Sequence, residues 1–150
     1  VVGWANRPNH LLCLWNDPRV NTRLVGYWSE SELYPGSPEY TELGFRADGT
    51  GWQYWSSWST GFCVHRFDWT EPKPGRLAVR LRMELDGTWS LVEGEVAHRI
   101  ERRQHVDTLI ELAWTLEPGP DLTLDRPLEQ YLGGTRFRLV EGGGTDPTLA

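Results

Sequence analysis

The sequence predicts an all-β protein: a single antiparallel up-and-down β-barrel of eight to ten strands, preceded by a short N-terminal helical turn. Three observations carry this expectation. Turn signals recur at short intervals: Pro35-Gly36, Asp48-Gly49, Ser59-Thr60-Gly61, Pro72-Lys73-Pro74-Gly75, Asp86-Gly87, Pro118-Gly119-Pro120 and Gly133-Gly134. The runs between them are rich in Trp, Val, Phe, Tyr and Thr, the pattern of a meander of hairpins rather than of βαβ units. The chain of 150 residues also has the length of one domain, enough to bury roughly 70% of its unfolded surface without metals or disulfides.

In chain order, residues 1–23 read as an N-terminal plug, in which Asn9 or Asp17-Pro18 caps a short helical turn. The barrel domain is expected over 24–141 and a flexible tail over 142–150. Strands are expected near 24–30, 40–47, 50–57, 61–69, 76–85, 88–100, 107–117, 121–126 and 134–140, with 125–132 readable either as strand or as one helical turn.

A two-residue turn fixes which side chains oppose each other and therefore share a face. With Asp86-Gly87 as such a turn, Leu85 opposes Thr88, Met83 opposes Ser90, Leu81 opposes Val92 and Leu77 opposes Val96, while Arg80 opposes Glu93. The apolar set then points inward, and continuing the alternation brings in His98 and Ile100. At Asp48-Gly49 the same reasoning sets Phe45 opposite Trp52 and Leu43 opposite Tyr54, with Glu42, Arg46, Gln53 and Trp55 on the other face. A two-residue Ser59-Thr60 turn would place Cys63, His65, Phe67 and Trp69 inward beside Tyr54 and Trp52, and a longer one would reverse this. Further on, Ile110, Leu112, Trp114 and Leu116 share one side of their strand, with Glu111, Thr115 and Glu117 on the other.

The predicted interior is aromatic and aliphatic with a few polar handles, the chemistry of a small-molecule pocket. Its candidate ligand-binding residues are Trp28, Phe45, Trp52, Tyr54, His65, Phe67, Met83, His98, Leu112 and Trp114. The competing reading is a barrel filled by these same side chains, since eight strands enclose little more than their own residues. No metal ligand set or cofactor is expected: two inward histidines without an inward carboxylate fall short of a zinc site, because Glu42, Glu84, Glu93, Glu101 and Glu111 are all expected on the outer face. No Gly-x-Ser-x-Gly elbow is present, and the serines of Trp55-Ser56-Ser57-Trp58-Ser59 are ordinary hairpin residues, so no catalytic residue is assigned.

Lys plus Arg is 15 against 21 for Asp plus Glu, a balance that offers nucleic acid or an anionic membrane no footprint. The single lysine, Lys73, lies between two prolines in a turn. No apolar run approaches a membrane span, and the first residues lack the pattern of a signal peptide, so a cytoplasmic protein is expected, with Cys13 and Cys63 as free thiols. The expected partner is a small hydrophobic ligand, and the oligomeric state is left open, with a homodimer among the alternatives.

Leu24-Val25-Gly26-Tyr27-Trp28 puts a Gly-x-Trp at the start of the first strand, and Leu43 to Trp52 runs through Asp48-Gly49-Thr50. These residues resemble the opening of calycin-type barrels, the lipocalin-like group; the likeness covers Leu24 to about Trp69 by motif and the rest by strand rhythm. The resemblance implies a cavity holding one hydrophobic or aromatic molecule. It also implies that Trp28 closes the base of the barrel under Arg136 or Arg138, and that the loop Tyr34-Pro35-Gly36-Ser37-Pro38 forms a stiff lip at the ligand mouth. Two alternatives follow from other small barrels. A likeness to allene oxide cyclase or polyketide spirocyclases implies an isomerase or cyclase using a histidine or Tyr54 as acid or base. A likeness to haem-holding barrels of the nitrobindin type implies an axial histidine, although the Gly-rich and Tyr-Pro motif that opens that family is missing.

Overall fold

The computed structural model describes residues 23–129 and 132–149. The expected N-terminal turn lies outside them, as does Cys13. Eight strands follow in chain order: β1 (Gly26–Ser29), β2 (Glu39–Phe45), β3 (Thr50–Ser57), β4 (Gly61–Thr70), β5 (Arg76–Val92), β6 (Glu95–Glu117), β7 (Asp121–Leu124) and β8 (Arg136–Val140). Each pairs antiparallel with the next, and β8 returns to pair with β1, closing the ring. Among the described residues there is no helix, and therefore none long and apolar enough to cross a membrane. The 125–129 segment is bent chain, neither strand nor helix.

Eight strands fall within the expected eight to ten, but the separate strand expected at 88–100 is divided between β5 and β6 because of one misread turn. Asp86-Gly87 does not reverse the chain: β5 runs through it to Val92, and the reversal comes at Glu93-Gly94, where both residues have positive φ (53° and 80°), as a type I′ hairpin requires. Asp86-Gly87 instead marks an irregularity in the ladder, Asp86 pairing with Arg102 and Gly87 with Ile100. A Cβ at Gly87 would collide with the Arg99 carbonyl, so the glycine serves a close backbone approach. The expected opposition of Leu77 to Val96, Leu81 to Val92 and Arg80 to Glu93 gives way to Leu77 with Leu112, Leu81 with Thr108 and Arg80 with Leu109.

Loop length also overturns the register of β3. The β2–β3 connection is a three-residue loop, 47–49, ending in Gly49 at φ 86°, so Phe45 pairs with Gly51 and Leu43 with Gln53. This slip of one residue exchanges the faces of β3: Gly51, Gln53 and Trp55 point in, while Trp52, Tyr54 and Ser56 point out. The β3–β4 loop, 58–60, is likewise a residue longer than expected, with Thr60 at φ 74°. The second slip restores the expected facing of β4, so Cys63, His65, Phe67 and Trp69 point inward, beside Gln53 and Trp55 instead of Tyr54 and Trp52.

A third correction lies in β5. Phe67 pairs with Leu81 and Arg66 with Met83, leaving Arg82 as an extra residue in a β-bulge. Alternation resumes one step out of phase, so Leu77, Val79 and Leu81 point inward, whereas Met83 and Leu85 point outward and Glu84 and Asp86 take the inner face.

Two cores result. Inside the barrel, Trp28, Leu43, Phe45, Phe67, Trp69, Leu77, Val79, Leu112, Trp114, Leu122 and Phe137 form one buried cluster. Each such aliphatic side chain contributes on the order of 1.5–3 kcal/mol when fully buried. Outside the barrel, Trp52, Tyr54, Phe62, Val64 and Leu85 form a second cluster, flanked by Tyr27, Met83 and Trp89. The far part of the β5–β6 hairpin folds over this outer cluster: the Trp89 amide donates to the Thr60 carbonyl at 2.8 Å and its indole N–H to the Ser57 carbonyl at 3.0 Å. The C-terminal segment, expected as a flexible tail, lies on the same face, with Asp146 buried and bonded to the Arg66 guanidinium at 2.7 Å.

Candidate functional site

The inner face is apolar along the half of the barrel that holds Phe45, Phe67, Trp69, Leu77 and Leu112, and polar along the other. The polar half carries Thr41 on β2, Gln53 on β3, Cys63 and His65 on β4, and Glu84 on β5. The β7–β8 connection lies across this end: Leu128 is buried in the core, the Gly134 amide donates to Thr41 Oγ1 at 3.1 Å, and Gly133 sits against the Gln53 amide.

Two openings flank this connection. One, of about 570 Å³, is a shallow polar mouth under the expected lip, lined by Glu30, Tyr34, Gly36, Thr41 and Gly133. The other, of about 480 Å³, enters between β4, β5, β6 and residues 126–129. Its walls are Leu81, Val106, Ile110, Pro127 and Leu128, and its polar groups are His65, Glu84, Thr108, Arg126 and Glu129. The second opening combines an apolar wall with the titratable groups, and it is the candidate site.

At its floor, His65 Nε2 stands 3.7 Å from Glu84 Oε2, and Cys63 Sγ stands 3.9 Å from His65 Nδ1. The other carboxylate oxygen of Glu84 accepts from Arg102 at 2.9 Å, and Arg102 also reaches Asp86 at 2.8 Å. Burial lowers the His65 pKa, with Glu84 and Glu129 opposing, so the imidazole is held neutral. Burial also pushes the Cys63 thiol up to about 12, helped by Glu84 and Asp86. The thiol is therefore no nucleophile as it stands. Gln53, directly across the ladder from His65, is buried, and neither atom of its amide has a hydrogen-bond partner among the described residues.

No family model, no curated protein and no solved structure matches the chain. The geometry alone therefore carries the reading.

Of the residues expected to bind ligand, only His65 lines the candidate cavity. Trp28, Phe45, Phe67, Leu112 and Trp114 point inward, as their register required, and belong to the packed apolar core. Trp28 donates its indole N–H to the Leu24 carbonyl at 2.9 Å; of the two arginines expected over it as alternatives, Arg138 is bonded to Asp121 and Arg136 is exposed. The cation over an indole here is Arg23, 5.6 Å from the centre of the Trp114 ring. Trp52, Tyr54, Met83 and His98 are on the outer side, for the register reasons above. There the Tyr54 hydroxyl and His98 Nε2 form a 2.9 Å hydrogen bond beneath the folded hairpin, with the imidazole edge against Phe62.

Glu84, Gln53 and Glu129 were not expected at the site. For Glu84 the missed signal is Glu93-Gly94, an acidic residue and glycine with the apolar Leu91 and Val96 set symmetrically about them, which marks the true hairpin turn and leaves room for a bulge upstream. Glu129 lies two residues after Pro127 in a connecting segment, where no period assigns a face.

Proposed function

We propose that the protein binds a small molecule with an apolar body and a hydrogen-bond donor or amine, in the cavity between β4, β5, β6 and residues 126–129. The observation that carries this reading is the 480 Å³ opening with one aliphatic wall and a His65–Glu84 floor, a size and lining typical of small-molecule sites. An amine on the guest would meet two carboxylates, Glu84 and Glu129, while its apolar part covers Leu81, Val106 and Ile110. The lipocalin-like reading is supported by Gly26-Tyr27-Trp28 in β1 with the indole at the packed end and the openings at the opposite end.

Aminoanthracene, an apolar fluorescent amine, tests the proposal. Its emission should rise and saturate on titration with the protein, and Thr108→Trp, at an exposed rim position of the cavity, should abolish the rise without changing the unfolding midpoint. Equal binding by Thr108→Trp would overturn the assignment. Recovery of the probe unchanged after long incubation distinguishes binding from turnover.

A further inference from the structure

We infer that Cys63, His65 and Glu84 form a site for a divalent transition-metal ion, best suited to zinc. This inference does not depend on the organic ligand proposed above. A thiol, an imidazole and a carboxylate converge from adjacent strands, with one donor atom of each lying within 4.8 Å of the others. The His65–Glu84 separation of 3.7 Å is too long for a hydrogen bond, and the Cys63–His65 separation of 3.9 Å is at the limit of a sulfur contact. Donors around a tetrahedral zinc ion, with bonds of about 2.0–2.3 Å, stand roughly 3.3–3.6 Å apart. The two separations use different imidazole nitrogens, Nε2 toward Glu84 and Nδ1 toward Cys63; with one nitrogen as the donor the three atoms lie within 4.8 Å of one another, so the side chains close by up to about 1 Å to share one ion.

Two further features point the same way. The buried Gln53 amide, without a partner among the described residues, faces the same interior directly across from His65. Such an orphaned group carries a cost of about 1–3 kcal/mol. Its oxygen completes the set as a fourth donor, or accepts from a water in the open position. Arg102 fixes the Glu84 carboxylate through Oε1, leaving Oε2 toward His65, the outer support that ligating carboxylates ordinarily have.

Charge is consistent as well. Thiolate and carboxylate together neutralise a dication, so the buried site carries no net charge when filled. The thiol proton leaves to solvent as the Cys63 sulfur–metal bond forms, with no change of oxidation state. The Cys/His/carboxylate set suits zinc over calcium or magnesium, which prefer oxygen donors alone.

Cobalt(II), a spectroscopic stand-in for zinc, provides the test on the full chain. After metal removal and dialysis against Co²⁺, the protein should retain one ion per chain, with visible bands of tetrahedral intensity and a near-ultraviolet sulfur-to-cobalt charge-transfer band. Zinc should bleach both. Cys63→Ser should remove the charge-transfer band, and Glu84→Gln should weaken binding by about 10-fold or more, while far-ultraviolet circular dichroism shows both variants folded. Cys13→Ser, which removes the other thiol, should leave the spectrum intact. Absence of a retained ion, or a charge-transfer band that survives Cys63→Ser and is lost in Cys13→Ser, would overturn the site. Since aminoanthracene fluorescence reports the cavity separately, failure of one proposal is distinguishable from failure of the other.

Discussion

The two halves of the barrel interior are built from the same strands but to different ends. In the packed half, aromatic rings fit against one another: Phe45 and Phe67 lie 5.7 Å apart, Phe45 and Trp69 5.2 Å, and the Trp69 N–H is satisfied by the Thr50 carbonyl. In the polar half, Gln53 has no partner among the described residues, His65 is held neutral, and a cavity reaches the floor. Cys63 and His65, whose pKa values burial shifts, both lie in this second half. The contrast teaches that one end supplies stability and the other spends it on buried polar groups, the usual signature of a working site.

The strongest way to break the contrast is to empty the packed half. The Phe67 ring rests on Gly51, where a Cβ would collide with it, so the strand has no side chain with which to refill the space. Phe67→Ala should cost about 3–5 kcal/mol, read from the urea midpoint, whereas Thr108→Trp at the cavity rim should leave that midpoint nearly unchanged.

An intermediate effect comes from Glu42, whose pKa burial raises to about 7 from an ordinary 4.5. The unfolded chain ionises this group first, so its contribution to stability is fully present below pH 4.5 and is lost as pH rises toward 7, by about 3 kcal/mol. Urea unfolding of Glu42→Gln across that window should show a correspondingly flatter pH dependence. His65 acts in the opposite sense: its lowered pKa means stability is present above pH 6.5 and lost as pH falls below it. The smallest change expected is a gain. Replacing the orphaned amide in Gln53→Leu should raise stability by about 1 kcal/mol in metal-free protein; a loss of similar size would show that the amide is satisfied in solution.

The facing of the second half of β6 was legible because Ile110, Leu112, Trp114 and Leu116 alternate without interruption beside acidic and polar neighbours, whereas its first half, with His98, was not. Phe67 and Trp69 on β4 were also placed correctly, but through two errors that cancelled. What resisted reading was local: whether Asp48-Gly49 closes a two-residue or a three-residue loop depends on which residue takes the left-handed conformation, and Gly49 serves in either. Glu84 was hidden by the bulge at Arg82, which leaves no mark in composition. Gln53 was hidden by the first slipped turn, and its position opposite His65 follows only once both loop lengths are known.

Those two three-residue loops have a consequence for how the chain can change over evolutionary time. Deleting one residue within 47–49 or within 58–60 would shorten the loop while leaving Phe45 opposite Gly51 and Ser56 opposite Phe62, so the facing of every strand would survive. A deletion inside β3, by contrast, would turn the residues beyond it to the other face and exchange Gln53 for its aromatic neighbours unless a bulge absorbed the change. The two loops should therefore vary in length independently, while the strand between them keeps its length.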